Sequence, residues 1–335
     1  MNTNHAKNIP SEPSRPLAAA LAGFLTIIAT PALAAELTIE QTHNQTNQRI
    51  NEQAPQEASE PITEAAITAA IEEYVRAKYA GDEKTLRSRT HQVLARRAVA
   101  SHYWDQPTKD WVRPFTQEHL KFYATSYNQT RMDAPEDGRC EIEVFDIAQR
   151  TASARVIMED VVDYLHMIHY EGRWIIADSG VIILESLGAK PPAKSSPEIA
   201  GKPTDNYAQI EQIVRDYCVG FYELDGQKVQ NTCHPSLSKR VVEQAEPLDI
   251  EYLREITYEE IEILGNTFNK EFNFDPETAR CEIEIYEVRK NVAAVKMTGT
   301  IWFDYFHLLK VNGQWQIVNI MFEGLPRDEW VDIKQ

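Results

Sequence analysis

Apolar positions along the chain change period several times, and that succession of periods is written twice. From Ile62, the residues Ile67, Ile71, Tyr74, Val75 and Tyr79 recur at helical spacing. Gly81-Asp82 interrupts this helix, and a second continues through Leu86 towards His91. After a less regular stretch, Thr116 stands where an N-cap belongs, its hydroxyl placed to accept a backbone N–H that the first turn leaves unpaired. From Cys140 the pattern becomes strand-like. Ile142, Val144 and Phe145 open one strand, Gln149-Arg150 supplies a turn, and a long strand is expected from Ala152 to Tyr170. Glu171-Gly172 makes the next turn, and Trp174 to Ile183 the last strand.

The second writing follows the first closely. The stretch from Arg139 to Ile176 recurs without a gap as Arg280 to Ile317. Identities include Cys140/Cys281, Asp163/Asp304, Tyr164/Tyr305, His166/His307, Gly172/Gly313 and Trp174/Trp315. Upstream, Tyr74/Tyr217, Tyr79/Tyr222, Asp82/Asp225, His91/His234 and Arg97/Arg240 pair at a slightly longer shift. Thr257 with Glu260 repeats the N-cap as a capping box, and Asn312-Gly313 is a strong hairpin signal. Each copy reads as two or three helices followed by an antiparallel meander, an α+β pattern.

This duplication sets the domain plan: a first domain over 62–184, a linker over 185–204 rich in Pro, Ser and Lys, and a second domain over 205–335. Residues 35–61, rich in Gln, Asn, Thr and Glu, read as a disordered lead-in. Residues 1–34 read as a secretory signal of bacterial type. Lys7 and Arg15 form a positive leader, Leu17 to Thr30 an apolar core, and Ala32-Leu33-Ala34 a small-x-small cleavage site. Export to a periplasm or beyond is the expectation, with mature protein starting near Ala35.

Composition adds exclusions. The net charge is −17, which repels nucleic acid and anionic membrane surfaces, so neither is expected as a partner once the signal is removed. The chain has 4 cysteines with no metal-ligand spacing, so free buried thiols or one adventitious bridge is expected. No metal or cofactor motif stands out.

The segments DIAQRTASARV, DYLHMIHYEGRWII and, in the second copy, FDYFHLLKVNGQWQIVN resemble the putative lumazine-binding family of the nuclear transport factor 2-like superfamily. The resemblance covers 62–184 and 205–324. It implies two cone-shaped domains, each a curved antiparallel sheet wrapped around N-terminal helices and often enclosing a pocket. The first copy departs from the family pattern, with Asp178 where the second has Asn319 and Gln92 where the second has the family-like Pro235. The superfamily hosts isomerases and dehydratases as well as binding modules, so fold membership assigns no function.

Strand alternation sorts the candidate chemistry. Asp163 shares a face with Val161, Leu165 and Met167, while Tyr164 shares the other with Val162, His166 and Ile168. A direct Asp163–His166 pair is therefore excluded. Asp163 and Asp304 remain as candidate proton-transfer residues on an apolar face, or as carboxylates held by structural donors. Tyr164, His166, Tyr305 and His307 are candidates for a ligand or an interface, and Trp174 and Trp315 are candidates of the same kind or core anchors. His91 and His234 are expected to cap helix C-termini. Both faces of the long strand are apolar, so the two copies are expected to pack sheet against sheet as an intramolecular pseudo-dimer. The leading functional expectation is an exported non-catalytic module for a small ligand or a partner protein. The alternative is a pocket enzyme of isomerase or dehydratase type, using a buried Asp on a small apolar substrate.

Overall fold

In a computed structural model, the described residues are 59–100, 109–130, 138–184, 204–245, 248 and 250–331. The expected signal segment, nearly all of the lead-in and the core of the linker lie outside them. The first repeat runs α1 (Glu64–Ala80), α2 (Glu83–Ser88), β1 (Thr90–Ala100), β2 (Trp111–Phe115), α3 (Gln117–Thr130), β3 (Glu141–Ile147), β4 (Thr151–Ile157), β5 (Val161–Tyr170) and β6 (Arg173–Ile183). The second runs α4 (Thr204–Glu223), α5 (Gly226–Asn231), β7 (Cys233–Ala245), β8 (Ile250–Ile256), α6 (Tyr258–Gly265), α7 (Asn269–Phe272), β9 (Glu282–Arg289), β10 (Val292–Thr298), β11 (Trp302–Val311) and β12 (Gln314–Gly324). Each repeat builds a 6-stranded sheet, in the orders β2-β1-β6-β5-β4-β3 and β8-β7-β12-β11-β10-β9. Among the described strands, only β1–β6 and β7–β12 pair in parallel.

Local chemistry explains the helix boundaries. Thr63 caps α1, and Gly81, at φ 71, ends it in the left-handed region. Asp82 then caps α2 by accepting from Thr85 N at 3.2 Å, and Asp225 does the same for α5 from Lys228 N at 2.9 Å. In the second repeat Leu224 occupies the left-handed turn at φ 58, a conformation that a branched side chain resists. Thr257 and Glu260 form the expected capping box. Glu171-Gly172 and Asn312-Gly313 take positive φ at both positions, as tight hairpins require.

Three expectations need correction. The long strand from Ala152 to Tyr170 is two strands, folded back where Met158 N donates to Val161 O at 2.9 Å. No glycine or proline marks that turn in the first copy, where only Glu159-Asp160 separates two apolar runs. The stretch after α2, expected as helix towards His91 and then as a segment of variable length, contributes β1 and β2, with Pro114 tolerated because β2 is an edge strand. His91 and His234 lie in β1 and β7 rather than capping helices. Their Nδ1 atoms accept from Val93 N at 3.3 Å and Ser236 N at 3.0 Å. Burial, then Arg240 beside His91 and Arg97 beside His234, pushes both imidazoles towards the neutral form.

Each sheet buries both faces. The helix-covered face of the first contributes Leu94, Ala98, Val161, Leu165, Met167 and Trp174 to a core with Ile67, Ile71 and Tyr74. The opposite faces of the two sheets meet each other. Val162, Tyr164 and Ile182 pack with Val292, Leu309 and Val318, and Ile168 and Ala177 pack with Phe303, Tyr305 and Met321. Polar contacts rim this seam: Tyr305 OH donates to Asp146 Oδ2 at 2.7 Å, and Thr151 Oγ1 to Glu323 Oε2 at 2.7 Å. Arg150 pairs with Glu251, and Arg155 with Glu287.

Candidate functional site

The concave face of each repeat centres on a buried carboxylate. Asp163 is fully buried; its Oδ1 accepts from Arg96 Nη2 at 2.7 Å and its Oδ2 from Tyr74 OH at 3.3 Å. The three groups come from β5, β1 and α1. Arg96 reaches the site because alternation turns it inward while Arg97 turns outward to the seam. Burial works against the guanidinium charge, but the Asp163 carboxylate outweighs it and raises the Arg96 pKa. The Tyr74 phenol is also pushed up, by burial first and then by Asp163.

The second repeat rebuilds this cluster with one exchange. Lys239 of β7 takes the place of Arg96, its Nζ 2.5 Å from Asp304 Oδ1, and Trp302 Nε1 donates to Asp304 Oδ2 at 2.9 Å. Burial lowers the Lys239 pKa and Asp304 only partly restores it. Lys239 also lies over Phe322, 4.2 Å from the ring centre. Tyr217, the counterpart of Tyr74, has its phenol pushed far up by burial and then by Asp304. Around it Phe221, Phe268 and Trp302 pack edge to face, with Phe268 and Trp302 centroids 4.8 Å apart. These carboxylates are thus held by cations and aromatic donors of their own repeat. Sequence reading overlooked Arg96 and Lys239; the signal was present as a cation preserved next to the matched pair Arg97/Arg240.

The other candidates lie elsewhere. His166 and His307 are fully buried and stack across the seam with ring centres 3.6 Å apart, and Tyr305 lies 6.3 Å from His166. Tyr164 is buried in the same seam, near-parallel to Phe145. Burial pushes the His166 pKa down to about 3, and His307 well below its usual value. Asp178 Oδ2 is 3.6 Å from His166 Nδ1, and Asp178 Oδ1 accepts from Arg240 Nη1 of the other repeat at 3.1 Å. Desolvation still raises Asp178 to about 6. Asn319, its counterpart, donates to Ser179 O at 3.2 Å instead. Trp174 and Trp315 sit in the two separate cores, their indole N–H groups donating to Pro61 O at 3.1 Å and Asn206 Oδ1 at 3.3 Å. Among the described residues no group of three or more His, Cys, Asp and Glu could hold a metal ion. No described helix is long and apolar enough to cross a membrane.

Helices laid on one face of a six-stranded sheet, twice over, define two tandem α+β domains. The family described as putative lumazine-binding matches residues 63–179 and 205–323, and the chain belongs to that family. Similar solved structures each match about one repeat. An NTF-2 like protein of unknown function from Silicibacter pomeroyi DSS-3 is 22% identical, over 36% of this chain and 94% of its own, at TM-score 0.30. An NTF2-like protein of unknown function from Shewanella baltica OS155 is 19% identical, over 37% and 97%, at TM-score 0.30. An NTF2-like protein with a cystatin-like fold from Novosphingobium aromaticivorans is 9% identical, over 37% and 84%, at TM-score 0.28. No curated protein matches the chain.

Proposed function

We propose that this chain is an exported, non-catalytic tandem module whose task is to bind a small ligand. The observation that carries the reading is the state of the two concave-face carboxylates. Both oxygens of Asp163, and both of Asp304, already accept from donors of their own repeat. A general acid or base needs an oxygen free to reach the proton it moves, and here internal donors already occupy both oxygens of each carboxylate. These groups anchor β5 to β1 and α1, and β11 to β7, and so hold each cone in shape.

A small ligand is favoured over a partner protein because the aromatic and histidine-bearing sheet faces are consumed between the repeats. A partner would have to displace one repeat to reach Tyr164, His166, Tyr305 or His307. The family description makes lumazine the first molecule to try. The leader over residues 1–34 supports export to a bacterial periplasm or beyond. Mass spectrometry of the secreted chain should find an N-terminus near Ala35, whereas an intact Met1 on exported protein rejects that part.

The test is a thermal-shift screen with lumazine and a panel of small aromatic and apolar molecules, run beside Asp163→Asn and Asp304→Asn. A ligand that binds the folded state raises Tm with the logarithm of its concentration, worth about 2.7 kcal/mol at a hundredfold excess over Kd. The molecule should be recovered unchanged. Chemical conversion of any panel member that is lost in a folded Asp163→Asn or Asp304→Asn variant overturns the reading in favour of an enzyme.

A further inference from the structure

The second repeat carries a pair of cysteines that the first does not. Cys218 lies on the face of α4 that packs on the start of β9. Tyr222, one turn further along that face, donates its hydroxyl to Arg280 O at 2.8 Å. Cys218 Sγ is 3.9 Å from the same carbonyl, which places it against residues 280–281. Cys281 directly follows Arg280 and packs against the same core cluster that holds Cys218. Neither is in a disulfide in this structure.

The two thiols are unlike. Cys218 is fully buried within the helix-side core, whereas Cys281 is half-buried at its edge. The neighbouring Cys218 thiol, helped by Arg215 one turn before it, lowers the Cys281 pKa, while burial raises that of Cys218. Such a gradient gives a reactive outer thiol backed by a protonated inner one. Elsewhere the chemistry is missing: in the first repeat Val75 takes the place of Cys218, leaving the exposed Cys140 with no cysteine opposite it. Cys233 is buried against Thr232 and Val229 O, its thiol pushed up to about 12 by burial.

We propose that Cys218 and Cys281 are a redox pair that closes into a disulfide between α4 and the start of β9, with Cys281 as the entry thiol and Cys218 as the resolving one. The oxidant is a small disulfide of the glutathione class, or the disulfide of a thiol oxidoreductase. The Cys281 thiolate attacks one sulfur of that disulfide, forming a mixed disulfide and releasing one thiolate. Cys218 then gives its proton to the released thiolate and attacks Cys281 Sγ, expelling the second thiolate, which takes a proton from solvent. Two protein thiols are oxidised and one external disulfide is reduced to two thiols. The bond ties the long helix of the second cone to its sheet and closes the intervening loop, which restrains the unfolded chain. An oxidising compartment is where the closed form would persist, but the reaction itself does not depend on export.

The test uses the full chain, reduced and then equilibrated in mixtures of reduced and oxidised glutathione. Free thiols are trapped by alkylation and the sites read by peptide mass spectrometry. The expected result is a Cys218–Cys281 cross-linked peptide that appears as the mixture becomes oxidising, with Cys140 and Cys233 unlinked to each other or to the pair. The urea midpoint should rise in the closed form and revert on reduction. Cys218→Val, which installs the residue the first repeat uses, should instead trap glutathione on Cys281. Cys281→Ser should leave Cys218 unmodified, and Cys140→Ser should close normally. Four free thiols in fully oxidised glutathione, a cross-link through Cys140 or Cys233, or a lasting glutathione adduct on Cys281 of the unmutated chain would each overturn the proposal.

Discussion

Replacing Lys239 by Met isolates the cost of leaving Asp304 buried without its cation. Lys239 Nζ is 2.5 Å from Asp304 Oδ1, and both side chains are almost wholly removed from water. Desolvation dominates the lysine's titration. The pair therefore adds little net stability over a neutral filling, but either charge left alone is expensive: about 3–5 kcal/mol for removing one partner. Lys239→Met and Asp304→Asn should each lose that much, or about 2–4 °C in Tm per kcal/mol for a chain segment of this size. The double variant removes both charges, so neither is left uncompensated. Its new amide at position 304 still offers an oxygen to Trp302 Nε1, which lies 2.9 Å from Asp304 Oδ2 in the unmutated chain. Its loss should be well below the sum of the singles, with a coupling of roughly 2 kcal/mol or more. Urea unfolding followed by circular dichroism and tryptophan fluorescence would measure the cycle, provided the m-value is unchanged. Additivity within about 0.5 kcal/mol would refute the idea that the two groups are held as a pair.

The seam supplies three further tests. His166 has a folded pKa of about 3 against about 6.5 unfolded, so the unfolded chain binds the extra proton between these values and stability falls as pH drops below about 6.5. That contribution is about 3 kcal/mol at pH 4.5, offset in part by Asp178, whose folded pKa of about 6 works in the opposite direction; His166→Leu should lose less stability on acidification than the unmutated chain, and equal losses would reject the argument. Arg240→Leu strips Asp178 of its guanidinium, so the variant should be destabilised by about 3–5 kcal/mol at pH 8 and by less at pH 5, where Asp178 takes up a proton; urea midpoints at the two pH values decide, and a pH-independent loss would count against it. Gly180→Ala would bring a methyl to 3.2 Å from His307 Cγ across the seam and should cost about 1–3 kcal/mol in thermal or urea unfolding, whereas Gly324→Ala meets open space and should be near neutral; equal effects would show that the sheets do not pack as closely as described.

The sequence alone determined the duplication, the α+β class and the face on which Asp163 and Asp304 stand. Those features rest on local periodicity: a strand of unbroken alternation leaves each side chain one choice of face. The Thr257–Glu260 capping box, and the turns at Gly172 and Gly313, were legible for the same reason, because they are satisfied by neighbours a few residues away. The features that only the tertiary structure decided depend on distant strands. Arg96 and Lys239 become partners of the aspartates only when β1 and β7 pair with β6 and β12, and those parallel pairings leave no local signature. The placement of Asp178 and Asn319 is clearer still. Counting by twos from Trp174 and Ile176, or from Trp315 and Ile317, assigns both to the helix-covered face. A bulge opposite the His166/Met167 and His307/Leu308 steps inserts Ala177 and Val318, and turns Asp178 and Asn319 to the seam instead. One extra residue in a strand reverses the face of every residue after it, and the hydrophobic pattern that would reveal the reversal is absent because both faces of these sheets are buried.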